Sequence, residues 1–169
     1  LTNNGNGTWT LTPAKNFNGK IDLAYNVADD KGGKTVATQS FSLDAVNDAP
    51  TLTGTKATLA NGKEDTAYTI TATDLLKGYS DVDGDTFSVQ NLKSSNGSLT
   101  NNSDGTWTLT PAKDFNGKIN LTYNVSDGNG ASTAATQSFS LDAVNDAPTL
   151  TGTKATLANG KEDTAYTIK

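Results

Sequence analysis

The sequence predicts an all-β chain of tandem β-sandwich repeats, each 98 residues long. Three observations carry the prediction. The first is internal repetition. Leu1–Ile70 realigns on Leu99–Ile168 with 11 differences in 70 positions, so Trp9 matches Trp107, Tyr25 matches Tyr123 and Pro50 matches Pro148. None of the differences falls in the last 34 positions, Ala37–Ile70 against Ala135–Ile168. The second is alternation of apolar and polar residues at period 2, which a half-buried strand requires. The third is punctuation of these runs by Gly, Asn and Asp, the residues that turns demand.

Taken in order along one repeat, the elements are as follows. Thr66–Thr73 alternates through Tyr68 and Ile70, and Leu75–Leu76 that follows is at most a short turn. Thr86–Gln90 alternates through Phe87 and Val89, and Gly105–Thr110 through Trp107 and Leu109. In Lys118–Ser126, Ile119, Leu121, Tyr123 and Val125 face one way, whereas Lys118, Asn120, Thr122 and Asn124 face the other. Gln137–Asp142 alternates through Phe139 and Leu141. Turns are expected at Ser94–Gly97, Asn101–Gly105 and Ser126–Gly130. No window has a helical period. About seven short strands in such a repeat argue for an immunoglobulin-like sandwich. Trp9, Trp107, Tyr25 and Tyr123 sit at alternating positions in strands, which assigns them to a core rather than to a sugar-stacking platform.

Asn47-Asp48-Ala49-Pro50 and Asn145-Asp146-Ala147-Pro148 each follow an apolar strand. Proline ends the strand and holds the preceding residue extended, so short linkers are expected here. Three segments result: 1–48, the C-terminal part of one repeat; 49–146, a complete repeat; and 147–169, the N-terminal part of the next. The chain reads as a piece of a longer array.

Composition narrows the chemistry. There is no Cys, His, Met or Arg, so disulfides, thiolate sites and His-based zinc or acid–base chemistry are excluded. All 13 basic residues are Lys, scattered among 18 acids, which argues against nucleic acid as a partner. No apolar run is long enough to span a membrane. Nothing in the sequence places a base beside a nucleophile, and the chain is expected not to be an enzyme.

The acids are concentrated. Asp81-Val82-Asp83-Gly84-Asp85 holds three carboxylates in five residues. At 4 Å such charges repel by about 1 kcal/mol per pair even in water, and a cation between them removes the penalty. An all-oxygen donor set points to Ca²⁺. The spacing is not that of an EF-hand: with Asp81 as the first position, glycine falls at the fourth and Leu92 stands where a bidentate Glu belongs. Glu64 and Glu162 are the only glutamates, one per repeat, both in Lys-Glu-Asp-Thr. Such a position-specific Glu suggests a use for its longer reach.

The ordered set Asp81-Val-Asp-Gly-Asp, Gly105-Thr-Trp-Thr-Leu-Thr-Pro, Asp114-Phe-Asn-Gly, Tyr123-Asn-Val-Ser-Asp-Gly and Val144-Asn-Asp-Ala-Pro resembles the cadherin-like VNDAP repeats of large bacterial surface adhesins, often of the RTX type. The resemblance runs through the entire chain. It implies calcium-dependent immunoglobulin/cadherin-like β-sandwich domains strung end to end at a cell surface or in a secreted matrix. It also implies where ions sit. Asp44, Asn47 and Asp48 are similar to the acids and amide of a cadherin linker, with Val46 in place of one ligand. Asp81, Asp83 and Asp127 resemble acids that face the preceding linker, and Asp85 completes their run. Glu64 and Asp114 resemble acids that face the following linker, which here supplies Asp142, Asn145 and Asp146. On this reading each junction draws ligands from two repeats, and neither junction is complete within the 169 residues.

The function expected is therefore that of a calcium-stiffened extender in a bacterial surface or matrix adhesin, whose partners are neighbouring repeats of the same chain. The alternative is that the repeats are the self-assembling unit of an extracellular fibre, with other copies as partners. Near-identical repeats can exchange strands, and that alternative rests on this property.

Overall fold

The computed structural model describes residues 1–168. They are nearly all β, 42% strand and 3% helix. The first repeat contributes β1 (Thr2–Asn3), β2 (Trp9–Thr10), β3 (Gly19–Ala28) and β4 (Lys34–Leu43). Within 49–146 lie β5 (Thr51–Leu52), β6 (Gly62–Lys63), β7 (Tyr68–Thr71), α1 (Ala72–Leu76) and β8 (Tyr79–Ser80). These are followed by β9 (Ser88–Ser94), β10 (Ser98–Asn101), β11 (Thr106–Thr110), β12 (Gly117–Ser126) and β13 (Ser132–Asp142). Residues 143–168 carry no strand.

Two sheets share one core. The order is β6-β13-β12-β9 in one and β10-β11-β7 in the other, with β5 and β8 paired separately. The long β12–β13 hairpin runs from Gly117↔Leu141 to Ser126↔Ser132 without a slip. Its alternation aims Ile119, Leu121, Tyr123 and Val125 inward, where Ile70 from β7, Leu109 from β11, Leu75 from α1 and Phe139 from β13 meet them. Burying each of these large apolar side chains contributes about 1.5–3 kcal/mol. Tyr68 stacks on Phe139 with ring centroids 4.1 Å apart.

β6 pairs with β13 in parallel, Leu141↔Gly62 and Asp142↔Lys63. The preceding stretch also runs beside β13 in the same direction. Thr133 Oγ1 donates to the Pro50 carbonyl, Gln137 Nε2 to the Ala57 carbonyl (2.6 Å) and Lys56 Nζ to the Thr136 carbonyl (2.8 Å). The chain thus enters this unit near the start of β13, at Pro50, and leaves from its end, at Asp142.

Two local features depart from the sequence reading. Thr66–Thr73, expected as one strand, ends at Thr71 and turns into α1. The reason is a cap. Thr71 Oγ1 accepts the Asp74 N–H at 3.1 Å and donates to Asp74 Oδ2 at 2.7 Å, a reciprocal arrangement that nucleates one turn of helix and buries Leu75. The strand expected at Thr86–Gln90 is shifted to Ser88–Ser94, and its pairing with β12 carries an irregularity between Thr122 and Asn124.

The first repeat supplies an internal comparison. β3 and β4 pair from Gly19↔Leu43 to Ala28↔Lys34, the register of β12 and β13 displaced by one repeat. Their apolar faces, however, are uncovered. Trp9 and Tyr25 are exposed, contrary to the expectation that they lie in a core, whereas Tyr123 is buried and Trp107 half-buried. The hairpin is thus encoded locally, and the burial is supplied by segment 49–98.

Candidate metal centre

Acids converge at both ends of the 49–146 unit. At the first end, Asp81, Asp83 and Asp85 each bring a carboxylate oxygen within 4.8 Å of the others. They sit in the turn between β8 and β9, where the Asp83 N–H bonds Asp81 Oδ1 at 2.7 Å and Gly84 takes the left-handed backbone at φ 79°. The linker reaches this turn directly. The Asp48 N–H donates to Asp83 Oδ2 at 2.8 Å, and Asn47 Nδ2 donates to Asp127 Oδ2 at 2.7 Å. Asp44, Asp48 and Asp83 line one cleft together with Asn16 and Asn18 of the first repeat. Asp127 is buried, and its other oxygen, Oδ1, accepts the N–H groups of Asn129 (2.8 Å) and Ala131 (3.1 Å). The Asn47 amide, ahead of these backbone donors, holds its carboxyl below the ordinary value.

Two oxygens in this cluster, Asp81 Oδ2 and Asp85 Oδ2, are buried without any hydrogen-bond partner. Burying a carboxylate oxygen unpaired is costly, and buried charges are normally paired or bound to metal. The donors here are carboxylate, amide and backbone oxygens, with no nitrogen or sulfur ligand available, so the residues fit a hard divalent cation.

At the second end, Glu64 is buried and ties the unit to the following linker. Its Oε1 accepts the Val144 N–H at 2.6 Å, its Oε2 accepts Asn116 Nδ2 at 3.1 Å, and its own N–H donates to the Asp142 carbonyl at 3.0 Å. A second carboxylate group, Asp65, Asp114 and Asp146, lies at the exposed surface with oxygens within 4.8 Å. Asp65 and Asp114 both adopt left-handed backbone, φ 55° and 56°, and the Asp114 N–H donates to Asp65 Oδ1 at 3.0 Å. This cluster has an internal countercharge. Lys113 Nζ lies 3.1 Å from Asp114, and its ammonium is held above the ordinary lysine value by Asp114 first and by Asp146 and Asp65 beyond it.

Of the sequence-derived candidates, Asp44, Asn47, Asp48, Asp81, Asp83, Asp85 and Asp127 gather at the first end. Glu64, Asp114, Asp142 and Asp146 gather at the second, where Asp142 Oδ1 accepts Asn61 Nδ2 at 3.1 Å. Asn145 is exposed and its amide reaches only the Asp146 carbonyl, at 3.3 Å. Asp65 and Asn116 are participants that sequence reasoning passed over. The signal for Asp65 is its place directly after the singular Glu64 in Lys-Glu-Asp-Thr, repeated at Glu162-Asp163.

The model of the cadherin-like domain family matches residues 1–44 and 46–142. The chain belongs to the cadherin-like domain family. Membership accounts for the all-β architecture, points to an extracellular adhesion or extender role, and agrees with acids gathered at the ends of a unit. No helix among the described residues is long and apolar enough to cross a membrane. No curated protein sequence matches the chain.

Among solved structures, the cadherin-like chain is similar to the endo-fucoidan hydrolase MfFcnA4 from glycoside hydrolase family 107. Identity is 22%, the TM-score is 0.39, and the match covers 73% of this chain and 19% of that one. A variant of the same enzyme gives 22% identity and a TM-score of 0.41, covering 79% of this chain and 20% of the variant. The endo-fucoidan hydrolase MfFcnA9 gives 21% and 0.35, covering 77% and 23%. The expectation that the chain is not an enzyme is corrected by this finding, since the structures it is similar to are hydrolases. The chain spans about a fifth of their length, and a likeness at these scores assigns it no substrate and no catalytic residue.

Proposed function

We propose that this chain is a calcium-stiffened extender from a bacterial surface or matrix adhesin of the VNDAP, RTX-associated kind, with sandwich repeats in tandem: 1–48 the C-terminal part of one, 49–146 a complete one and 147–169 the N-terminal part of the next. The observation that carries the proposal is the pair of buried, unpartnered carboxylate oxygens on Asp81 and Asp85, set beside a linker whose Asn47 and Asp48 already bond Asp127 and Asp83. A cation held by Asp81, Asp83 and Asp85 with Asp44, Asn47, Asp48 and Asp127 would satisfy those oxygens and fix the linker against the unit. Glu64, Asp114, Asp142 and Asp146, with Asp65, would do the same at the other end. Asn145 is the one candidate whose role would require its amide to turn from the Asp146 carbonyl.

The chain's own residues then act mechanically. Each junction becomes a short, charged hinge that calcium stiffens, so the array is held extended and its stability adds up along one dimension. Extracellular modules of this type bind calcium at about 10⁻⁴–10⁻³ M.

Thermal unfolding in EDTA and in millimolar calcium tests the reading. A ligand that binds only the folded state at about ten times its Kd adds about 1.4 kcal/mol, so the midpoint is expected to rise by several degrees. In the Asp83→Asn, Asp85→Asn double variant the rise should be greatly reduced. Identical midpoints with and without calcium would reduce the aspartates to turn formers.

A further inference from the structure

One side of the 49–146 unit gathers lysines, whereas the acidic clusters lie at its ends. Strict alternation on β12 turns Ile119 and Leu121 into the core and leaves Lys118, Asn120 and Thr122 exposed on the outer face of the sheet. The register extends that face sideways. Thr136 of β13 and Lys93 of β9 both stand opposite Thr122, and both are exposed. Lys56, from the stretch that runs beside β13, joins them from the edge. Its Nζ donates to the Thr136 carbonyl at 2.8 Å, which uses one of the three donors an ammonium has. Lys56, Lys118, Asn120 and Thr122 line an open hollow of about 440 Å³. An adjoining hollow, which Lys93 lines, shares Lys56, Thr122 and Thr136 with it. Three of the unit's six lysines thus border this surface, and none of its eleven acids does.

The first repeat shows what this arrangement lacks. On its matching strand, β3, Lys20 Nζ lies 2.6 Å from the carboxylate of Asp22. Asn120 stands where Asp22 would recur, so Lys118 has no countercharge on its own strand. Among the described residues no carboxylate pairs with Lys56, Lys93 or Lys118. We propose that this face binds an acidic polysaccharide. The three ammonium groups take its sulfate or carboxylate groups, and the side chains of Asn120, Thr122 and Thr136 take its hydroxyls.

The chemistry of the face selects this occupant. Between the lysines the exposed side chains are Asn120, Thr122 and Thr136, without the aromatic or aliphatic anchor on which a protein interface turns. A hydrated chain that carries fixed anions needs no such anchor. Lysine is a compact point charge with rotatable donors, so it accepts a tetrahedral sulfate or a planar carboxylate. Four residues of strand place Lys118 and the Thr122–Lys93 row roughly 13 Å apart, so the ligand has to be extended and to carry several charges. Each contact lies in solvent, is weak and is screened by salt, and joining several on one polymer makes the sum measurable. Neither acidic cluster takes part, so the proposal stands apart from the calcium reading.

The test is retention of the 169-residue chain on immobilised dextran sulfate, polygalacturonate and neutral dextran, at low salt. EDTA is present so that calcium cannot bridge the polymer to the aspartates. The expected result is retention on one or both anionic polymers, lost as salt is raised, and none on neutral dextran. The two anionic arms tell sulfate from carboxylate. Lys118→Gln should weaken binding about two- to fivefold, and Asn120→Asp, which recreates the pairing of the first repeat, should do the same. Lys93→Gln added to Lys118→Gln should weaken it further. Lys113→Gln removes the same charge beside the Asp114 cluster and should leave binding unchanged. All four positions are exposed, so the thermal midpoints should match. Absence of retention on both anionic polymers, equal retention on neutral dextran, or retention that Lys118→Gln and Asn120→Asp leave intact overturns the proposal. So does an equal loss from Lys113→Gln, which would report net charge alone. A mass that climbs with concentration without glycan, and that Lys118→Gln returns to one chain, would assign the face to a second copy and overturn it as well.

Discussion

Tyr123 concentrates much of what a single residue contributes here. Its ring is buried in the core, and its hydroxyl donates to the Leu75 carbonyl at 2.8 Å, fastening α1 to β12. Tyr123→Phe keeps the ring and strands the carbonyl, and a loss of about 1–3 kcal/mol in chemical unfolding is expected. The same environment sets a pH dependence. Burial, with a smaller effect of Tyr79, pushes the phenol from 10.0 up to about 12. The folded state therefore holds the proton more tightly than the unfolded one. The stability this confers is complete below pH 10 and drains away as pH rises toward 12. Tyr123→Phe should flatten that alkaline limb, which an unfolding series across this pH range would read directly.

At the scale of elements, α1 shows how local chemistry overrides a strand pattern. Thr66–Thr73 alternates well enough to be read as strand throughout, yet the Thr71–Asp74 cap diverts its end into a helix too short to have a period of its own. Removing the cap with Thr71→Ala should cost about 1 kcal/mol in equilibrium unfolding and loosen Leu75 in hydrogen exchange. β12 was legible because the nine residues Lys118–Ser126 alternate strictly, whereas β13 was legible only in its second half, Gln137–Asp142. β5, β6, β8 and β10 were not, since strands of two to four residues hold too few alternations to stand out, and β6 depends on β13 for its pairing. The same distinction divides the candidate site. Asp81, Asp83 and Asp85 are adjacent in sequence and could be seen together. Asp65, Asp114 and Asp146 meet only because turns with left-handed aspartates bring them round. Exposure of Trp9 and Tyr25 was beyond the reach of periodicity, which assigns a face and says nothing of what covers it.

Over the whole molecule, the two acidic groups differ in how they are balanced. The Asp81–Asp83–Asp85 group holds buried oxygens with no partner, whereas the Asp65–Asp114–Asp146 group is exposed and already has Lys113 beside it. Calcium should therefore fill the first before the second. Titration calorimetry is expected to resolve two steps, and Lys113→Gln should strengthen the later one while leaving the earlier in place. The parallel course of 50–63 beside β13 has a mechanical consequence. Tension on a chain that enters at Pro50 and leaves at Asp142 pulls these two neighbours past each other lengthwise. Their bonds would have to yield together rather than open one at a time, like two overlapped strips glued along their length. The unit would resist being drawn out even though its net thermodynamic stability is modest, because forced unfolding follows the height of the barrier rather than the depth of the well.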